Sequence, residues 1–256
     1  MNQQPDEIAA VYSVVEPSFI KPTGTGADQP EQMWGTTAAN LNSDIVNPAT
    51  QSILPIYTLM DDRKMVHLNR NLDQPLIFDI HGRDDKTVAW SPYIISWYDS
   101  VESNNVGGVF YWDNRSHDGT GANFSDTEIT PDFLRYRTTK SYPAFSNCSI
   151  NQDPGNGVSP NSGDAFGAIN GYLDWEDDME DNACDYTIHV FLKDLYVGGV
   201  PDPDQYTTCK TDITFRRLQN FHPAPGAVIT WKNYNSSNSK IQNGSVVYNG
   251  ELVTIK

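Results

Sequence analysis

Continuous apolar runs and helical spacings alternate along the first part of the chain, while short alternating runs fill the second. Ile8-Ala9-Ala10-Val11-Tyr12-Ser13-Val14-Val15 is apolar except at Ser13, the pattern of a strand covered on both faces in a parallel sheet. Residues 20–70 are rich in Pro, Gly, Asn, Thr and Asp, with short helices predicted around 31–42 and 60–69, and read as an excursion over the sheet. Pro75-Leu76-Ile77-Phe78-Asp79-Ile80-His81 is a second strand. Ser91 followed by Pro92 supplies an N-cap and a first helical proline. Ile94, Trp97, Tyr98 and Val101 then make one apolar face of a helix over 92–104. Asn104-Asn105-Val106-Gly107 ends that helix, and Gly108-Val109-Phe110-Tyr111-Trp112 is a third strand. Strand, helix and strand joined by short connections predict a parallel, right-handed βαβ unit. Pro131 to Tyr142 is expected to add one more helix.

From Ser146 to Gly163 the chain is Asn, Ser, Pro, Gly and Asp with little apolar content, the composition of a linker. Short strands follow at 187–192, 212–215, 228–231 and 245–248, with turns such as Pro223-Ala224-Pro225-Gly226 between them. The expected organisation is therefore an α/β part over 1–145, a linker over 146–163, and a small antiparallel β-sandwich over 164–256. The last part stops at Lys256 in mid-strand pattern, and the first strand follows Met1 within a few residues. Both ends suggest a piece of a longer protein.

Composition narrows the classes. With 38% hydrophobic and 20% charged residues the chain can build a core and is not of disordered type. A net charge of −16 repels phosphate backbones, which argues against nucleic acid as a partner. No apolar run approaches the roughly 18 residues that span a bilayer, so membrane insertion is not expected. Abundant Asn, Ser, Thr, Gly and Tyr with few Lys point to an exported protein, secreted or periplasmic, although no signal peptide is visible. Of the three cysteines, Cys184 and Cys209 could pair in an oxidising space and leave Cys148 unpaired; three reduced thiols fit the spacing as well.

In open parallel sheets, chemistry gathers just past the carboxyl ends of the strands. Two polar segments are expected there: His81-Gly82-Arg83-Asp84-Asp85-Lys86-Thr87-Val88 after the second strand, and Asp113-Asn114-Arg115-Ser116-His117-Asp118-Gly119 after the third. A carboxylate on that rim can accept a hydrogen bond from one imidazole nitrogen, leaving the other to take a proton from a nucleophile.

A strand, His-Gly-x-x-Asp-x-x-Val, a helix, a strand and a histidine in a short loop resemble the closing portion of α/β-hydrolases, best the esterase- and prolyl-peptidase-like serine hydrolases. The resemblance covers about residues 5–145. It implies that Asp85 is a catalytic-triad acid, with Asp84 as the alternative, and that His117 is the base. Pro5-Asp6-Glu7-Ile8-Ala9-Ala10-Val11 resembles the entry to the strand after the nucleophile helix. Gly167-Ala168-Ile169-Asn170-Gly171-Tyr172-Leu173-Asp174-Trp175 and Asp212-Ile213-Thr214-Phe215-Arg216-Arg217 are similar to modules that trail exported bacterial hydrolases.

No Gly-x-Ser-x-Gly elbow occurs in the 256 residues. The resemblance therefore implies a fragment of a secreted hydrolase of esters or peptides, inactive alone, with the nucleophile and oxyanion hole upstream. No cofactor is implied. The substrate would be a small or polymeric ester, and the β-sandwich could contact carbohydrate or a cell surface. A non-catalytic polysaccharide- or surface-binding protein, and an inactive hydrolase relative, are the rival classes.

Bland readings accompany the other residues. Asp84 and Asp85 could be a solvated turn, and His117 a surface histidine. His81 reads as structural, and His67, His189 and His222 have no metal spacing. Asp174, Glu176 and Asp178 imitate the start of a calcium loop, but Met179 stands where its glycine belongs, so the acidic 174–185 stretch reads as a solvated loop and no metal site is expected. Trp97 and Trp112 fit core positions; Trp175 is the candidate exposed aromatic.

Overall fold

The computed structural model describes residues 7–14, 30–88, 90, 94–156, 162–204 and 206–256. Three parallel strands form its centre: β1 (Ala10–Val14), β4 (Leu76–Gly82) and β5 (Gly108–Asp113). Strand β4 lies between the other two, with Ala10 opposite Leu76 and Ile77 opposite Gly108. This is the neighbour relation expected from the apolar runs. A fourth strand, β7 (Gly167–Ile169), adds antiparallel to β5, giving the order β1-β4-β5-β7 among the described residues.

Period-two alternation along β4 and β5 explains why both faces of this sheet are covered. Leu76, Phe78 and Ile80 enter one hydrophobic cluster with Tyr111, while Ile77 enters the other with Phe110 and Trp112. The second cluster is closed by helix α4 (Ile95–Ser103), whose Trp97, Tyr98 and Val101 are buried together with Ile94 just before it. The Ser91–Pro92 cap lies outside the described residues. Asn105 and Gly107 take positive φ where the chain turns into β5. Strand β1 departs from expectation. It is an edge of the described sheet, half-buried over Ala10–Tyr12 with Val14 exposed, because β4 pairs with it on one side only.

The 30–70 excursion carries α1 (Pro30–Trp34), a 3-10 turn (Thr37–Ala39), a hairpin of β2 (Asn42–Val46) with β3 (Ile53–Pro55), and the helices α2 (Ile56–Leu59) and α3 (Asp62–Leu68). The short helices expected around 31–42 are α1 and the 3-10 turn, separated by Gly35 at φ +76 and ended by left-handed Asn40. The helix expected over 131–142 is absent. A single turn, α5 (Asp126–Ile129), is closed by a capping box between Ser125 and Glu128, and a 3-10 turn at Phe133–Arg135 precedes extended chain.

Residues 146–163 were expected to be a linker, and their described part is not one. Strand β6 (Tyr142–Ser146) pairs antiparallel with β14 (Asp212–Arg216), Cys148 and Ile150 are buried, and the Gln152 side chain accepts from the Ala168 amide. Those apolar side chains were masked in the sequence by polar neighbours. The remaining strands are antiparallel, as expected, but spread over small sheets. Strand β8 (Leu173–Trp175) pairs with β11 (Val190–Leu192), β9 (Glu180–Asp181) with β10 (Tyr186–Thr187), and β12 (Tyr196–Val197) with β13 (Val200–Pro201). The long hairpin joins β15 (Val228–Tyr234) to β16 (Lys240–Val247), and β17 (Thr254–Ile255) adds to β14.

The architecture is thus broadly α/β: a mixed sheet with few helices and several small antiparallel sheets. Its two halves share a core, since Leu173, Trp175 and Leu195 pack in the same cluster as Phe78, Ile80 and Tyr111. No helix among the described residues is long and apolar enough to cross a membrane.

Candidate active site

Because β4 and β5 run parallel and side by side, the loops that follow them leave on one rim of the sheet. The structure brings Asp85 and His117 together there. His117 Nδ1 lies 3.0 Å from Asp85 Oδ2. Asp84 is exposed beside this pair, so the carboxylate that meets the ring is that of Asp85.

Local chemistry fixes the carboxylate. After Gly82 the chain turns, with the Asp85 amide donating to the Gly82 carbonyl at 3.3 Å. Asp85 Oδ1 then accepts from the Thr87 and Val88 amides at 2.7 and 2.8 Å, an Asx-type turn closed by its own side chain. One oxygen is thereby held by the backbone and the other faces the imidazole. The Asp85 side chain is 1% exposed and that of His117 51%, so the carboxylate end of the pair is buried and the imidazole end open.

The His117 loop is tied down at its root. Asp113 Oδ1 accepts from the Arg115 amide and Nε, and Oδ2 accepts from the amides of Asn123 and Phe124 and from Arg115 Nη2. One buried carboxylate thus clamps both ends of residues 114–124. At the tip, the Ser116 amide donates to the Thr120 carbonyl, and Asp118 accepts from the Ser116 hydroxyl at 2.5 Å and from the Thr120 amide at 3.0 Å. Those bonds, the Ser116 hydroxyl first, hold the Asp118 carboxyl down to about 2. The loops also meet through backbone, with the Arg83 amide donating to the Asp113 carbonyl at 2.8 Å.

A second polar cluster lies under the sheet, on the α4 side. Asp79 Oδ1 accepts from the Ser13 hydroxyl at 2.7 Å, and Oδ2 accepts from Trp97 Nε1 at 3.1 Å and faces His81 Nδ1 at 3.3 Å. Burial pushes the Asp79 carboxyl above its ordinary value, against the opposing pull of His81. His81 Nδ1 also meets the Tyr98 hydroxyl, so this histidine belongs to the packing between β4 and α4, as expected.

The other candidates stay apart from the rim. His67 bonds Asn104, His189 bonds Asp178, and His222 bonds the Gln219 carbonyl. Trp175, the expected exposed platform, is buried, with Arg135 stacked on its ring at 4.0 Å. Members of the acidic stretch have protein partners: Asp174 and Asp177 bind Arg135, and Asp181 accepts from the amides of Gln219, Asn220 and Phe221. Among the described residues no group of three His, Cys, Asp or Glu side chains is placed to hold a metal ion. A cavity of about 180 Å³ touches Leu76 and Gly108 at the starts of β4 and β5, away from the dyad.

Sequence reasoning missed the parts that hold the dyad: Gly82, the Asp113–Arg115 clamp and the amides of Thr87 and Val88. The only local signal was Asp-x-Arg directly after a strand, which is common in ordinary turns. Among the described residues no hydroxyl or thiol is paired with the His117 ring. The chain matches no known family, no curated protein and no solved structure.

Proposed function

We propose that the chain carries the acid and the base of a serine-hydrolase triad. The single observation behind this reading is the Asp85–His117 hydrogen bond, made by an open imidazole to a buried, amide-anchored carboxylate past the ends of two adjacent parallel strands. Asp85 keeps the ring proton on Nδ1, so Nε2 is free to accept a proton from a serine hydroxyl as that oxygen attacks an ester or peptide carbonyl. The imidazolium formed is stabilised by the Asp85 charge and then protonates the leaving group. Water repeats the sequence on the acyl-enzyme.

In this reading β1, β4 and β5 belong to the closing portion of an α/β-hydrolase sheet, and the antiparallel strands beyond residue 164 form an accessory part of an exported enzyme. Since no Gly-x-Ser-x-Gly occurs in the sequence, the serine and the oxyanion hole come from outside these 256 residues. The substrate is an ester, small or polymeric, or a peptide.

The test uses the reading frame that encodes the chain. A fluorophosphonate probe should label a serine in an upstream Gly-x-Ser-x-Gly, and hydrolysis of activated esters should fall by about 10³-fold or more in His117→Ala. Absence of such an elbow, or ester hydrolysis indifferent to His117, overturns the proposal and favours a binding protein.

A further inference from the structure

Cys148 and Cys209 stand with their sulfurs 3.1 Å apart, about 1 Å longer than a disulfide bond. Cys184, the partner that sequence spacing offered to Cys209, is exposed and unpaired. We propose that Cys148 and Cys209 are a redox pair, oxidised to an intrachain disulfide by a small-molecule or protein disulfide and reopened by thiols.

The backbone around the pair is already in place for a cross-link. Cys148 follows β6 and Cys209 precedes β14, just beyond the last ladder pair, Ser146 opposite Asp212. Past that pair the two segments stay joined, the Ser149 amide donating to the Lys210 carbonyl at 2.8 Å and the Lys210 amide to Ser149 Oγ at 2.9 Å. Closing the bond therefore asks for side-chain rotation rather than movement of either segment.

The two thiols are unequal, which sets the order of the reaction. Cys148 is buried, and Cys209 is partly accessible. The hydrogen bond between the sulfurs, in which either can donate, lowers the Cys209 thiol and raises that of Cys148. Cys209 as thiolate attacks one sulfur of the external disulfide, forming a mixed disulfide and releasing one thiolate. Cys148 then loses its proton and attacks the Cys209 sulfur, releasing the second thiolate. Two protein thiols give up two electrons and two protons, and the external disulfide takes up both as two thiols.

In the closed form the bond links positions 61 apart in sequence and fastens β14, which carries Arg216 into the core, to the segment leaving β6. A chain exported into an oxidising space would acquire this staple.

The experiment compares folded wild-type protein and Cys184→Ser after equilibration with oxidised or reduced glutathione, acid quench, unfolding, alkylation and peptide mapping. After oxidised glutathione a Cys148–Cys209 peptide pair should appear in both proteins, with neither cysteine alkylated. After reduced glutathione both should be alkylated. Equilibration in denaturant should abolish the preference for this pair in the wild type. The proposal is overturned if Cys148 and Cys209 stay alkylatable in oxidised folded protein, if Cys209 stops at the mixed disulfide with glutathione, or if Cys184 supplies the cross-link.

Discussion

The backbone at Gly82 lies so close to the Arg115 carbonyl that a Cβ at position 82 would sit 1.9 Å from that oxygen. Two loops that must meet for Asp85 to reach His117 are packed here backbone to backbone, and only a residue without a side chain fits. Gly82→Ala should force the loops apart, destabilise the protein by about 1–3 kcal/mol and break the dyad. Urea unfolding measures the first effect. The His117 imidazole resonances, losing their dependence on Asp85, report the second.

The role of Asp85 divides between its two oxygens, and two substitutions separate them. Asp85→Asn keeps an acceptor for the Thr87 and Val88 amides but turns an NH₂ toward His117 Nδ1. The ring should then move its proton to Nε2, a tautomer switch visible in the ¹⁵N shifts of the imidazole, with a stability loss below about 1 kcal/mol. Asp85→Ala leaves both amides without their acceptor and should cost about 1–3 kcal/mol.

Asp79 gives stability a pH dependence of its own. Its folded value lies above the ordinary 3.8 because burial disfavours the charge. The folded state therefore holds the Asp79 proton more tightly than the unfolded chain does. The contribution is complete below the ordinary carboxylate value and is lost as pH rises through the raised folded value. Asp79→Asn, which cannot ionise, should gain on the wild type over that rise. Urea unfolding of both proteins across the acid-to-neutral range checks it; a gap that does not change with pH would show that Asp79 is not perturbed by burial.

Arg216 argues that the two halves fold together. From β14 its buried guanidinium donates to the carbonyls of Leu72, Asn105 and Val106, which flank β4, α4 and β5. Arg216→Ala strips these acceptors of a charged donor inside the core and should cost at least about 2 kcal/mol. For the same reason residues 1–145 alone, lacking β7 and β14, should show no cooperative thermal transition by circular dichroism. A sharp transition would mean that the α/β part is self-sufficient.

Local pattern was enough to read the centre of this protein. Apolar runs two-faced along β4 and β5, with Trp97, Tyr98 and Val101 at helical spacing between them, have few low-energy arrangements. A short helical crossover between strands buried on both faces makes them parallel neighbours, and parallel neighbours put Asp85 and His117 on one rim. Those are consequences of periodicity and chirality, which act over short stretches. Tertiary structure alone decided the rest, because it depends on contacts between distant segments. Cys148 rather than Cys184 meets Cys209 because β6 pairs with β14, a pairing with no local signature. Residues 146–156 pack instead of linking because Cys148 and Ile150 find a shared core. Gly82 has no room for a side chain only because the Arg115 carbonyl comes to lie against it. Burial and close approach are properties of two segments at once, and no single stretch of sequence carries them.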